Sequence, residues 1–328
     1  MLSPNELGGV LAMMPAFATR DAVDLSATET IAVDNLREGV DRIIKDGIDA
    51  IATTGTYGEC YNLLWDEFKT LTTATVDAVK RRVPLFIGCT SPNPREAIQK
   101  MKFVKDSAAD GVLLGVPYYE TLTVPDAIQF YRDIAELFPT LNIVIYHNPD
   151  NHKFTIPVSA FTEISKHRNI IGMKDSHRTT GAFMQLQKII KGKISVFVNQ
   201  AQLHPYYRMG AAGCWSTEVW MGPWPVLYLR NLVRRGDDEA AQEVVLDLMG
   251  EGGGGKPKPG DGSKRPQEFA DYCKVGPTRV PFLHFPPAEM EKAKRKAAYW
   301  MKLSEKYRPL VEAERGRTVA VLKRALAD

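Results

Sequence analysis

Nowhere in these 328 residues do 18 uncharged apolar residues run together, so no membrane-spanning helix is expected. The opening stretch "MLSPNELGGVLAMMPAFATRD" lacks the basic start and long apolar centre of an export signal. Cysteine is sparse: Cys60, Cys89, Cys214 and Cys273 are far apart and form neither a CxxC pair nor a Cys/His cluster of zinc-binding type. Stability is therefore expected without disulfides, in a reduced, cytoplasmic setting. A charge excess is missing too. The 42 basic and 39 acidic residues are interspersed, and a net charge of +3 offers no electrostatic footprint for nucleic acid or a membrane surface. Small neutral or anionic ligands remain open.

What is present is an ordinary globular composition, 44% apolar and 25% charged, enough for a sizeable core. From about residue 8 to about residue 230, short apolar runs alternate with helical patterns, and the periodicity test counts eight pairs. The runs are "GVLAMMPAF", "DAIATTGT", "PLFIGCT", "GVLLGVPYY", "NIVIYHNP", "IIGMKDS", "SVFVNQ" and "GCWSTEV". Between them lie amphipathic stretches such as "REAIQKMKFVKDSAAD", with Ile98, Met101 and Val104 near one helical face. Apolar runs that do not alternate with polar residues suit parallel strands buried on both faces, and eight strand-helix units imply a (β/α)8 TIM barrel.

The expected division is a barrel over 1–230 and a C-terminal helical extension over 231–328. Within the extension, the Gly/Pro/Lys-rich "GEGGGGKPKPGDGSKRP" at 250–266 reads as a flexible surface loop. It is not a phosphate loop, because its Gly-Lys lacks a following Ser or Thr and no strand precedes it. No repeat of solenoid period is present.

A barrel gathers its chemistry where strands end. The strand ends here carry Thr56 and Tyr57, Tyr118 and Tyr119, Tyr146 to Asn148, Lys174, and Trp215 with Ser216. The lysine of "NIIGMKDSHR", residues 169 to 178, has two readings. Either its ammonium lies past the strand in water, or it is a desolvated, neutral amine waiting for a carbonyl. In "ATTGTYGECYNL", glycines flank Thr56 and Tyr57. They permit a plain strand-to-helix turn or one whose backbone N–H groups hold a carboxylate. Tyr146 and Trp215 read as packing or as site residues, and Asn148 as an Asn-Pro turn or as a positioned amide.

Taken together, a Gly-Thr-x-Gly-Glu turn after strand two, a Tyr-x-Asn-Pro after strand five and a lysine on strand six resemble the pyruvate-dependent class I aldolase family. That family includes dihydrodipicolinate synthase and N-acetylneuraminate lyase. The resemblance runs continuously over roughly residues 8 to 230 and more weakly into the helical tail. It implies that Lys174 forms a Schiff base with a 2-oxo acid. Tyr146 and Thr56 are implied to pass protons, and the backbone of Gly55, Thr56 and Tyr57 to hold the carboxylate. No metal and no cofactor are implied. A homotetramer is, with Tyr119 donated across an interface.

Two departures narrow the branch. Tyr57 replaces the second threonine of the synthase pattern, and Asn151 stands where the synthase has an arginine for its aldehyde substrate. "GTYGEC", "YHNPDNHKFTIP", "CWS" and "GPTRVPF" instead look like the trans-benzylidenepyruvate hydratase-aldolases, which act on substrates with an ortho-hydroxy or ortho-carboxy aromatic ring. That likeness places Asn148 and Trp215 in the pocket. Arg279 and His284 in "VGPTRVPFLHFPP" stay open between covering the pocket and structural ion pairing. A sugar-acid aldolase of the same family and a non-catalytic binding barrel are the alternatives.

Overall fold

The computed structural model describes residues 1–175, 177–250 and 264–325. Eight parallel strands close on themselves in chain order: β1 (Gly9–Met13), β2 (Ala50–Ala52), β3 (Leu85–Gly88), β4 (Gly111–Leu114), β5 (Asn142–Tyr146), β6 (Ile170–Lys174), β7 (Ser195–Asn199) and β8 (Gly213–Ser216). β8 pairs back onto β1, so no edge is left open. The expected (β/α)8 TIM barrel is the observed fold.

The first crossovers carry α1 (Val33–Asp46), α2 (Trp65–Val79), α3 (Pro94–Lys105) and α4 (Val124–Leu137). After β5 come the short α5 (Pro149–His152) and α6 (Phe161–Ile164), followed by α7 (Thr180–Ile190), α8 (Leu203–Arg208) and α9 (Trp224–Arg235). Local chemistry sets the helix ends. α1 buries Leu36, Val40 and Ile43 on one stripe and stops at Gly47, whose φ of 108° is left-handed. α3 starts where the Asn93 side chain accepts from Glu96 N, and α4 where Thr123 and Asp126 cap each other. Met101 and Val104 of the expected amphipathic face are buried, and Ile98 packs at its margin.

Two apolar shells result. Leu11, Met13, Phe86, Leu113, Val144 and Phe197 fill the barrel, and Leu7 from the N-terminal segment joins them. A larger shell lies between strands and helices.

β6 departs from simple alternation. Ile170 and Met173 belong to the outer shell and Ile171 to the inner one. A Cβ on Gly172 would meet Val144 and Leu7 of the inner shell, at 3.1 and 3.3 Å. Pairing with β5 slips at the same place: Ile143 faces Ile170, and the next residue, Val144, faces Gly172. One extra residue is accommodated here, two consecutive positions look inward, and the side chain at 174 is thereby brought to the interior.

Beyond the barrel lie α10 (Asp238–Met249), α11 (Arg265–Glu268) and α12 (Pro287–Ala325). The expected domain boundary at 230 falls inside α9. α12 packs on that helix through buried Trp300, Leu303, Tyr307 and Val311, and Trp300 Nε1 donates to Gly222 O at 2.9 Å. Most of the Gly/Pro-rich stretch at 250–266 lies outside the described residues. Its described end differs from a surface loop: Lys264 is 1% exposed, with Nζ 2.9 Å from Glu59 Oε2 and donating to Pro277 O at 2.9 Å. A buried carboxylate recruits that lysine. The segment 264–286 then returns over the strand ends, where Ala18 N donates to Val275 O and Asn62 Nδ2 to Val280 O. Among the described residues no helix is long and apolar enough to cross a membrane.

Candidate active site

Lys174 ends β6 inside the barrel mouth and is 4% exposed. Its Nζ sits 3.8 Å from the centre of the Trp215 ring and 5.1 Å from that of Tyr146. Burial among these rings lowers the amine from its ordinary 10.5 to about 7, while the carboxylates of Asp175 and Asp150 hold it up. Of the two sequence readings, the structure shows the desolvated amine rather than the solvated ammonium.

Tyr146 is the register partner of Lys174 on β5. Its phenol donates to Thr56 Oγ1 at 3.0 Å, and accepts from Thr56 N at 3.2 Å and from Asn148 Nδ2 at 3.1 Å. Asn148 Nδ2 also reaches Thr56 Oγ1, at 3.3 Å. The Thr56 oxygen thus accepts twice, which leaves its own proton to donate elsewhere. Burial pushes the Tyr146 phenol up from its usual pKa and the Thr56 and Asn148 contacts oppose it, so the group rests as a neutral phenol.

Local geometry assembles this trio. Thr54 turns the chain off β2 in a left-handed conformation, φ 41°, unusual for a β-branched residue, with its hydroxyl donating to Gly88 O at 2.7 Å. Gly55 follows, and a Cβ there would lie 2.9 Å from Met13 Cε and 3.6 Å from the Tyr146 ring, so its missing side chain lets the turn close onto the tyrosine. Asn148 forms the turn of its first reading. Its carbonyl accepts from Asn151 N and His152 N to start α5, and its amide faces the phenol.

One expected side chain is elsewhere. Tyr57 is buried in the outer shell, not in the mouth. Burial, with the nearby charges of Glu218, Cys273, Glu59 and Glu268, pushes its phenol well above the ordinary range. Successive residues of the turn point opposite ways, so with Thr56 toward Tyr146 only the backbone of Tyr57 stays near the site. Tyr119 is 73% exposed, and its carbonyl accepts from Lys153 Nζ.

Arg279 is an internal staple. It is 3% exposed, with Nη1 2.6 Å from Glu59 Oε2, Nη1 also donating to Ala16 O, Nε to Thr30 Oγ1 and Nη2 to Thr30 O. Thr30 in turn binds Glu67. His284 is exposed.

Sequence reasoning passed over His152. Its buried ring stands edge-on to Tyr146 at 5.0 Å and stacks on Tyr118 at 6.2 Å, and burial, followed by the Lys174 charge, lowers it to about 4, a neutral imidazole. Gly115 makes the room: a Cβ there would lie 2.2 Å from His152 Cε1. Gly115→Val is expected to displace this ring and disorder Tyr146, seen as a drop of ~1–3 kcal/mol in unfolding free energy together with lost activity. An unchanged melting curve would contradict that packing.

Also unforeseen was a buried network behind the lysine. His147 Nδ1 lies 3.0 Å from Asp175 Oδ1, and Arg178 Nε 2.7 Å from Asp175 Oδ2. Among the described residues His147, Asp175 and His177 have metal-ligand spacing, their donor atoms within 4.8 Å of one another. Both His147 nitrogens are already engaged, however, since Nε2 accepts from Ile156 N at 3.2 Å. The cluster therefore reads as hydrogen bonding.

The pattern of the dihydrodipicolinate synthetase family matches residues 8–250. The chain belongs to that family. Among its relatives in the dihydrodipicolinate synthetase family, it is 30% identical to the trans-O-hydroxybenzylidenepyruvate hydratase-aldolase of Sphingobium xenophagum, over 93% of this chain and 97% of that one. Identity to the protein of the same description from Pseudomonas aeruginosa is 29%, over 93% and 96%. Trans-2'-carboxybenzalpyruvate hydratase-aldolase of a Nocardioides species matches at 23%, over 92% and 95%. The structure described as PhdJ bound to substrate intermediate superposes with a TM-score of 0.87 at 26% identity, covering 93% of this chain and 99% of that one. A dihydrodipicolinate synthase at 24% identity, TM-score 0.78, over 90% and 100%, shares the fold. The resemblance drawn from the sequence thus holds for the family and for its hydratase-aldolase branch, and the chain is an enzyme, an aldolase-type lyase.

Proposed function

We propose that this enzyme is a hydratase-aldolase acting through a lysine Schiff base on an ortho-substituted trans-benzylidenepyruvate, releasing an aromatic aldehyde and pyruvate in the catabolism of aromatic hydrocarbons. The observation that carries the reading is the Lys174 amine, buried between the Trp215 and Tyr146 rings and brought to about 7. A neutral amine at working pH is a nucleophile, and two aromatic faces suit a planar conjugated substrate.

The chemistry runs as follows. Lys174 Nζ attacks C2 of the 2-oxo acid while backbone N–H groups of the Gly55–Thr56–Tyr57 turn take the carboxylate. Loss of water gives an iminium conjugated with the alkene; water, positioned by the Asn148 amide, adds at the benzylic C4, and the enamine this leaves takes a proton at C3, which restores the iminium. Tyr146, which has passed its own proton through Thr56 to the departing carbinolamine hydroxyl, then takes the proton of the new hydroxyl along the same relay. The C3–C4 bond breaks, the aldehyde departs, and the bonding pair passes to the iminium as an enamine. Protonation at C3 and hydrolysis return pyruvate and free Lys174. The imine is the electron sink throughout, and orientation of water against alkene supplies much of the rate.

Arg279, committed to Glu59, Ala16 and Thr30, is not free for a second carboxylate, which favours an ortho-hydroxyl on the ring. A panel of benzylidenepyruvates followed by absorbance loss and pyruvate release is expected to show at least ~10-fold higher kcat/KM for the ortho-hydroxy than for the ortho-carboxy compound. Turnover of sugar acids alone would replace this reading with the other aldolase class.

Tyr146→Phe is expected to cut kcat by ~10²–10⁴-fold while borohydride still traps pyruvate on Lys174, because proton transfer is lost and amine attack is kept. Failure to trap in this variant places the phenol in imine formation instead. The exposed Tyr119 is outside this chain's own site, so a role for it requires a second copy, and we propose the homotetramer that the family pattern suggests; sedimentation of a monomer rejects it.

A further inference from the structure

β5 and β6 carry two pairs of side chains at the mouth, one on each face. Tyr146 and Lys174 are register partners and look inward. The next residue of each strand, His147 and Asp175, looks outward, as strand alternation requires. His147 N donates to Lys174 O at 3.1 Å and Asp175 N to Phe197 O at 2.8 Å, so the ladder continues one step beyond the inward pair.

The outward pair is tied on every side. The His147 Nε2 lone pair is taken by Ile156 N–H, which leaves the proton on Nδ1, aimed at Asp175 Oδ1. His177 N donates to the same oxygen at 3.2 Å. Arg178 forms an ion pair with the other oxygen, Nε at 2.7 Å, and donates from Nη2 to Ile156 O at 2.8 Å, and the Tyr206 hydroxyl donates to Arg178 O at 2.7 Å. The three side chains are almost completely buried, at 1% for His147, 2% for Asp175 and 6% for Arg178. A buried ionic set is weak evidence of stabilisation, since apolar residues of like volume often serve a fold as well. Its place, one residue behind the reacting pair on both strands, points to another purpose.

We propose that His147, Asp175 and Arg178 form a positioning clamp that holds the Tyr146 phenol and the Lys174 amine in register and fixes a buried negative charge behind the nitrogen that becomes the iminium. This rests on the Schiff-base reading above. Among the described residues, the charged and titratable groups around Lys174 are few. Asp175 stands behind it on its own strand, and Asp150 comes from the turn after β5, 3.5 Å from His177 and 74% exposed. His152 and His177 complete the set, while Tyr146 and Trp215 are uncharged neighbours. Asp150 is screened by water and Asp175 is not. Burial would lift the Asp175 carboxyl, but the His147 hydrogen bond and the Arg178 charge hold it well below the usual range, so it is ionised wherever the enzyme works. Its partner lysine is therefore never without a fixed counter-charge, and the iminium, cationic at every pH, inherits it.

The test compares Asp175→Asn, which keeps shape and removes charge, with His147→Asn, which releases the clamp and keeps the charge. For Asp175→Asn, the acid limb of kcat/KM is expected to move to lower pH by at least ~0.5, with kcat down at least ~10-fold and KM within ~3-fold. For His147→Asn, kcat is expected to fall comparably on an unmoved limb. A folded Asp175→Asn with the wild-type limb, or a folded His147→Asn with wild-type kcat, overturns the proposal. Failure of both variants to fold assigns the set to stability alone and overturns it as well. Wild-type protein that does not trap pyruvate with borohydride refutes the Schiff-base reading itself, a result separate from these.

Discussion

Lys174→Met is expected to abolish turnover, by at least ~10⁴-fold, and at the same time to make the fold more stable near pH 6. Both effects come from one burial. The amine titrates at about 7 in the folded chain against 10.5 ordinarily. Between those values the unfolded chain binds the extra proton, so stability rises with pH across this window and is lowest below it. Methionine fills a similar volume without that liability. A gain on the order of 2–4 kcal/mol follows at pH 6, shrinking toward pH 10, because each tenfold difference in acidity is worth about 1.4 kcal/mol. Calorimetry at the two pH values reads it. A variant that melts lower than wild type at pH 6 removes the claim that the native amine sits desolvated.

Glu59→Gln is expected to cost ~3–5 kcal/mol in chemical denaturation, more than Arg279→Ala. The single carboxylate answers both Arg279 and Lys264, so neutralising it strands two buried cations, whereas removing Arg279 leaves Glu59 with Lys264. The damage should reach the mouth. Glu59 N donates to Thr56 O at 3.0 Å, closing the turn that carries the Tyr146 partner, and pyruvate trapping should weaken in the fraction that folds. Replacing Glu59, Arg279 and Lys264 together by apolar residues should cost less than Glu59→Gln alone. Equal losses would show that the ion set is incidental and the packing decisive.

The barrel was legible because a strand buried on both faces writes itself as an unbroken apolar run, and eight such runs with helical intervals admit few arrangements. That Lys174, Tyr146 and Thr56 would meet at one end of the barrel was legible because "YHNP" and "GMK" mark strand ends in the chain, while the roles proposed for them came from the family resemblance. Side-chain direction in a turn was not. Nothing in "GTYGE" announces that Thr54 adopts a left-handed φ and that Thr56 and Tyr57 consequently part company. Compensations distant in sequence were equally hidden. Gly115 makes sense only once His152 occupies its space, and Arg279 only once Glu59 is seen beneath it, 220 residues away. Lys264 belongs with these, because a lysine in a Gly/Pro-rich stretch looks solvated until a buried acid claims it.

The slip between β5 and β6 has a consequence for how this chemistry can be moved. Parity, not side-chain identity, decides whether the residue at 174 faces the barrel mouth or a helix. In a host barrel whose sixth strand runs without the doubled inward step at Ile171 and Gly172, the same "IIGMKD" would deliver its amine to the outer shell and its aspartate to the mouth. Transplanting the lysine therefore means transplanting the odd residue before it.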